Sequence, residues 1–210
     1  MKTSHISTSV IKRLPRYYRF LFDLLQSDMT RISSKSLSER MGLTASQIRQ
    51  DLNCFGGFGQ QGYGYNIKLL YEEIGKILGI DTIKKAILVG TGNMGRTLLA
   101  NMDFHSRGFE IIGLFDNKES LIGENISGLP VRHIDTLDEF CRENLPVAAI
   151  LCIPRNHAHD VAEQLINLGI KGFWNFTHYD LSVAFPDVAV ENVHLGDSLM
   201  TLCYNISPKN

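Results

Sequence analysis

Apolar residues recur along this chain with two different periods, and the change from one to the other divides it. In the first third, "LPRYYRFLFDLLQSD" sets Tyr17, Phe20, Leu21, Leu24 and Leu25 on one side at 3.6-residue spacing, which predicts an amphipathic helix with Pro15 in its first turn. "SSKSLSERMGLTASQIRQDLNCF" then predicts two short helices around a tight turn at Gly42, with Thr44 and Gln47 forming a capping box at the start of the second. That is the grammar of a helix-turn-helix. "GGFGQQGYGYNIKLL" follows, where glycines permit turns and Phe58, Tyr63 and Tyr65 favour strands, so a hairpin wing is expected behind the second helix. Another amphipathic stretch carries Leu69, Leu70, Ile74, Ile77 and Leu78.

Beyond that point the apolar positions become short unbroken runs: "IKKAILVG", "FEIIGLFD", "LPVRHI", "VAAILCIP" and "KGFWNF". Helical stretches such as "TLDEFCREN" and "HDVAEQLINLGI" separate them. Strands alternating with helices at this rhythm predict a parallel sheet covered on both faces. The last stretch, "GDSLMTLCYNISPK", puts Leu199, Leu202, Cys203 and Ile206 on one stripe of a helix too short to stand alone in water, so it needs a groove. The expected architecture is α/β: a winged helix-turn-helix over residues 1–78, a Rossmann-type doubly wound sheet over 79–190, and a C-terminal dimerisation helix over 191–210.

Charge sharpens this division. The 210 residues carry a net charge of -1, yet residues 1–68 hold 10 Lys and Arg against 4 Asp and Glu, while residues 69–210 hold 11 against 18. A basic module joined to an acidic domain points to a polyanionic partner for the first. Hydrophobic residues make up 44% of the chain, and no apolar run approaches the roughly 20 residues that span a bilayer. "MKTSHISTSVIKRLPRYY" lacks the apolar core of a signal peptide, and four scattered cysteines suit a reducing compartment, so a cytoplasmic location is expected.

Projected at 100° per residue, the second helix of the helix-turn-helix turns Ile48, Leu52 and Phe55 inward. Ser46, Gln50 and Asn53 then lie opposite, flanked by Gln47 and Arg49. Amide, hydroxyl and guanidinium groups without an acid can bond base edges and phosphates in a major groove. In the second module, Gly90-x-Gly92-x-x-Gly95 stands between a strand and a helix, as a dinucleotide fingerprint requires. Gly90 permits the tight turn, Gly92 admits the pyrophosphate, and Gly95 lets the helix pack closely, with Thr91, Asn93 and Met94 between them. Asp116 ends the next strand where a carboxylate takes ribose hydroxyls, which favours NAD(H) over NADP. An oxidoreductase would also need an acid or base and a substrate cleft. The histidines available are His157, His159, His178 and His194, His157 and His159 have poor metal spacing, and the nucleotide fold leaves no substrate domain. No metal site and no enzymatic activity are expected.

Over nearly its whole length the chain resembles the redox-sensing transcriptional repressor Rex family. The stretches that carry the resemblance include "RLPRYYR", "ISSKSL", "RQDLNCFGGFG", "GYGYNI", "LVGTGNMGRTLL", "IPRNHAHDVAEQL", "GIKGFWNF" and "VAVENVHL". The resemblance implies a homodimer with swapped C-terminal helices that binds palindromic operator DNA when NAD+ is high and releases it on binding NADH. It adds Pro154 to the cofactor contacts and Gln61, at the wing tip, to the DNA contacts. Arg19, Asn101 and His194 match positions associated with transmitting the nucleotide's state. Several of these positions depart from the family pattern: Gln50 stands for Lys, Gln61 for Arg, Asn101 for Tyr, His194 for Asp, and Thr177-His178 for Ala-Pro. Two missing cations would remove about two counterions' worth of salt dependence. The departures define the alternatives, a paralogue with altered or lost sensing or DNA binding and, further off, a small NAD-dependent oxidoreductase.

Overall fold

A computed structural model describes residues 6–56, 59, 60 and 63–207. The chain forms two compact units, residues 1–82 and 83–210.

In the first unit, helix α1 (Thr8–Gln26) buries Val10, Leu14, Tyr17, Leu21 and Leu24 along one stripe. It starts seven residues before Pro15, which therefore sits inside the helix and not in its first turn. The ring lies on the exposed side, where water can satisfy the carbonyl that loses its partner. Strand β1 (Arg31–Ile32) leads into α2 (Ser34–Met41), whose first turn is capped by Ser33 Oγ accepting from Ser36 N–H at 3.0 Å. Gly42 ends α2 at φ 63°, a left-handed position that favours glycine. Helix α3 (Ala45–Asn53) begins where Thr44 Oγ1 accepts from Gln47 N–H at 3.1 Å. Strands β2 (Gly59–Gln60) and β3 (Gly64–Asn66) form the hairpin, and β1 joins it to give an antiparallel sheet in the order β1-β3-β2. Phe58 and Gln61 lie outside the described residues. Helix α4 (Ile67–Leu78) buries Ile67, Leu70 and Ile74 but leaves Leu69 exposed, because Leu69 falls beside that i, i+3, i+7 stripe. The core of the unit brings Leu14, Tyr17, Leu37, Ile48, Leu52 and Leu70 together.

The second unit follows the βαβ logic. Its elements are β4 (Lys84–Val89), α5 (Asn93–Asn101), β5 (Phe109–Asp116), β6 (Asn125–Ile126), β7 (Leu129–His133), α6 (Leu137–Asn144), β8 (Ala148–Leu151), α7 (Arg155–Asn167), β9 (Gly172–Asn175), α8 (Leu181–Ala184), β10 (Ala189–Asn192) and α9 (Leu195–Ile206). The sheet order is β10-β9-β8-β4-β5-β7-β6, parallel throughout except for the β6–β7 pair. Omitting β6, this is the doubly wound 3-2-1-4-5-6 order, with its switch point at the C-terminal ends of β4 and β8. Alternation along the strands splits the core in two. Ile87, Val89, Phe115 and Leu151 pack under α6, α7 and α8 on one face, while Leu88, Leu114 and Ile150 pack on the other, where α5 supplies Leu98 and Leu99.

Candidate nucleotide site and nucleic-acid interface

The outer face of α3 is exposed at Ser46, Arg49, Gln50 and Asn53 and half-buried at Gln47. Arg49 Nη1 donates to Ser34 Oγ at 3.2 Å, which ties this face to the start of α2. The surface is acid-free, as the helical projection implies, but α3 does contain an acid. Asp51 is 2% exposed on the inner side, where Arg13 Nε and Nη2 donate to its two oxygens at 2.7 Å and the Tyr17 hydroxyl donates at 2.9 Å. The Asp51 bond raises the Arg13 pKa above its ordinary value. Burial first, and then the same carboxylate, push the Tyr17 phenol well up. Sequence reasoning missed Asp51 because its partners lie 38 and 34 residues away in α1. Behind α3, Arg31 Nη1 donates to Tyr63 carbonyl at 3.3 Å, joining β1 to the hairpin.

The glycine loop leaves β4 at the switch point, and each of its three glycines answers a different constraint. Gly90 has φ 99°, and a Cβ there would lie 2.4 Å from the Cys152 carbonyl oxygen. A Cβ on Gly95 would lie 2.2 Å from the Gly90 carbonyl oxygen, so α5 could not approach the loop with any side chain at that position. Gly92 is different: its backbone is ordinary, at φ −68° and ψ −165°, and nothing lies within 4 Å of its absent Cβ. Packing within the chain does not require a glycine here. Gly92 stands at the N-terminus of α5, where the first N–H groups of the helix, those of Asn93 and Met94, could receive a pyrophosphate.

Asp116 closes the loop from β5. Its Oδ2 accepts from Thr91 N–H at 2.7 Å and Thr91 Oγ1 at 2.9 Å, and its Oδ1 accepts from Lys118 N–H at 3.0 Å. Burial alone would raise its pKa, but these bonds outweigh it and hold the carboxyl below the usual range, so it stays ionised. Arg96, one turn into α5, donates from Nε to the Thr91 carbonyl at 3.0 Å and grips Glu124 with both terminal nitrogens at 2.7 and 2.6 Å. Across the switch point Pro154 immediately precedes α7, exposed and one strand over from Gly90. Burial pushes the Cys152 thiol behind the loop to about 12, so it stays a protonated, inert packing group.

The remaining positions fall on three different elements. Arg19 lies on the exposed side of α1 in the first unit. Asn101 ends α5, its amide donating to the Thr97 carbonyl at 2.9 Å. His194 immediately precedes α9, and its ring stacks on that of His178 at 6.0 Å between centroids. Among the described residues, no group of three or more His, Cys, Asp or Glu side chains is placed to hold a metal, and no helix is long and apolar enough to cross a membrane. A cleft of about 630 Å³ lies elsewhere, along β8, β9 and β10, lined by Ala148, Ile150, Gly172, Trp174 and Ala189 together with Phe104.

Two family models match: "Putative DNA-binding protein N-terminus" over residues 5–53 and "CoA binding domain" over residues 81–179. The chain is 50% identical over 208 residues to the redox-sensing transcriptional repressor Rex of Caldicellulosiruptor bescii, covering 99% of this chain and 95% of that one. It is 50% identical over 201 residues to Rex of Clostridium kluyveri, covering 96% and 95%. The chain belongs to the Rex family of redox-sensing transcriptional repressors. Solved Rex-family structures share its fold. The crystal structure of the repressor RSP with beta-NAD+ and operator DNA is 48% identical and superposes with a TM-score of 0.90 over 97% of this chain and 93% of that one. The same repressor with beta-NADH is 45% identical, with a TM-score of 0.88 over 97% and 95%. Rex-family membership accounts for the pairing found here, a helix-turn-helix with a polar outer helix face and a Rossmann sheet.

Proposed function

We propose that this chain is a repressor responsive to the NADH/NAD+ balance, binding palindromic operator DNA in the NAD+ or free state and releasing it when NADH binds. The observation that carries the nucleotide half is the open space over Gly92, framed by Gly90 and Gly95 and closed by an ionised Asp116. Gly90 to Gly95 would hold the diphosphate through backbone N–H groups. Asp116 would accept ribose hydroxyls once Thr91 Oγ1 turns away, and Pro154 would border the nicotinamide end. CoA and NAD(H) share an adenosine diphosphate, so the "CoA binding domain" match is compatible with this reading. The nicotinamide contributes the signal, its oxidation state, and the protein does no chemistry on it.

Ser46, Gln47, Arg49, Gln50 and Asn53 would meet the groove, and Gln61 the flanking backbone. Residues 1–78 would then be the DNA-binding domain, 79–190 the cofactor domain and 191–210 the dimerisation segment, in a cytoplasmic homodimer. The dimer is supported by α9, which carries no buried residue and exposes Leu195, Leu199, Leu202 and Ile206. Burying each is worth about 1.5–3 kcal/mol, and a second copy of the chain is the partner that also generates a palindromic site. Arg19, Asn101 and His194 would pass the cofactor's state between domains, driven by the differential affinity of two dimer states for NADH. Mobility shifts on a duplex selected by the protein from a random pool test this. Binding under NAD+ and loss under NADH are expected, and equal binding under both would overturn the sensing role.

A further inference from the structure

The inner side of α3 presents two kinds of group to α1. Ile48 and Leu52 are fully buried and adhere without directional preference. Asp51 does have one. Arg13 Nη2 and Nε meet Oδ1 and Oδ2 in parallel at 2.7 Å, and the Tyr17 hydroxyl, one turn further along α1, adds a third bond to Oδ2 at 2.9 Å. The Asp51 side chain is 3% exposed and that of Arg13 is 25% exposed, so water competes little for these bonds. A planar fork on a planar carboxylate fixes both the height and the tilt of the two groups. Helix α3 can neither slide nor roll on α1 without breaking at least one bond.

Roll matters because Ser46, Arg49, Gln50 and Asn53 lie on the opposite side of the same helix. A roll of about 10° moves a side-chain end 5–6 Å from the helix axis by about 1 Å, beyond the tolerance of a bidentate contact. Buried ion pairs add little net stability over apolar packing of the same volume, so adhesion alone does not call for this one. We propose that Asp51, gripped by Arg13 and Tyr17, is the positioning residue of the recognition helix, setting its roll and so the discrimination between DNA sequences more than the overall affinity for DNA. This rests on the DNA-binding role proposed above.

The test compares wild type, Arg13→Lys and Tyr17→Phe by fluorescence anisotropy on the duplex selected by the wild-type protein and on a scrambled duplex, across a salt series, with melting curves alongside. Arg13→Lys keeps the charge beside Asp51, so folding and non-specific binding persist, but one ammonium cannot span both oxygens. The selected-to-scrambled affinity ratio should fall about tenfold in Arg13→Lys and about threefold in Tyr17→Phe, with scrambled-duplex affinity and salt slope unchanged. A purely structural pair would lower the melting temperature and leave that ratio at the wild-type value in the folded protein, which overturns the proposal. So would equal losses on both duplexes. If the wild-type protein selects no duplex, the DNA-binding role itself fails, an outcome distinct from either.

Discussion

Replacing Gly92 and Gly95 by alanine, one at a time, separates the binding role of the loop from its packing role. At Gly92 the backbone suits any residue and an added methyl meets nothing within 4 Å, so the cost to the fold is the preference of an N-cap for glycine over alanine. That is about 0.5–1 kcal/mol, or about 1–4 °C in Tm for a chain of this size. The methyl stands in the space assigned to the pyrophosphate and removes at least one charge-assisted N–H bond, worth about 1.5–3 kcal/mol, so NADH should bind about 10- to 150-fold more weakly. At Gly95 the methyl would lie 2.2 Å from the Gly90 carbonyl oxygen, a backbone contact that no side-chain movement relieves, and 3.1 Å from Leu88 Cδ2. Overpacking of that kind costs about 3 kcal/mol, lowering Tm by about 6–12 °C. Calorimetry with NADH and thermal melts on the three proteins read both effects. Gly92→Ala binding NADH as tightly as wild type would refute the placement of the pyrophosphate, and Gly95→Ala melting with Gly92→Ala would refute the packing argument.

Three further outcomes are expected. Gln50→Lys restores a cation to the outer face of α3 and should steepen the salt dependence of DNA binding by about 0.9 in log–log slope per subunit; an unchanged slope in anisotropy titrations would show that position 50 meets no phosphate. Leu199→Glu with Leu202→Glu should make the protein sediment as a monomer and bind operator more weakly, whereas a wild-type sedimentation coefficient would remove α9 from the interface. Asp116 has a depressed pKa in the fold, so the stability it contributes is present above its unfolded value of about 3.9 and is lost as pH falls through the lower folded value. Urea unfolding from pH 6 to 3 should therefore show the gap between wild type and Asp116→Asn closing at the acid end, and a constant gap would contradict that.

The two halves were legible in the sequence for different reasons. The Rossmann order follows from short apolar runs alternating with amphipathic helices, and the glycine spacing by itself marks the switch point. Helix α3 starts where a cap at Thr44 says it must, which is why the projection of its outer face holds residue by residue. What escaped is what depends on distant partners. Asp51 reads as one more polar residue until Arg13 and Tyr17 arrive from another helix. Pro15 reads as a helix start because its missing donor is cheapest there, yet the amphipathic stripe extends back to Val10 and carries the helix through it. Strand β1 has two residues and no period to detect, and it exists because β3 offers it a partner. Gly92, whose spacing marks it for the pyrophosphate, shows in the fold that packing does not require it.

The central claim is a coupling between the nucleotide loop and the face of α3, and coupling is reciprocal. If NADH weakens operator binding by some factor, operator must weaken NADH binding by the same factor, typically about 5- to 150-fold. The direct measurement is the NADH dissociation constant of the protein alone and of the protein saturated with its selected duplex. NADH should bind more weakly in the complex, by the factor seen in the DNA titration. Equal NADH affinity in both would contradict it.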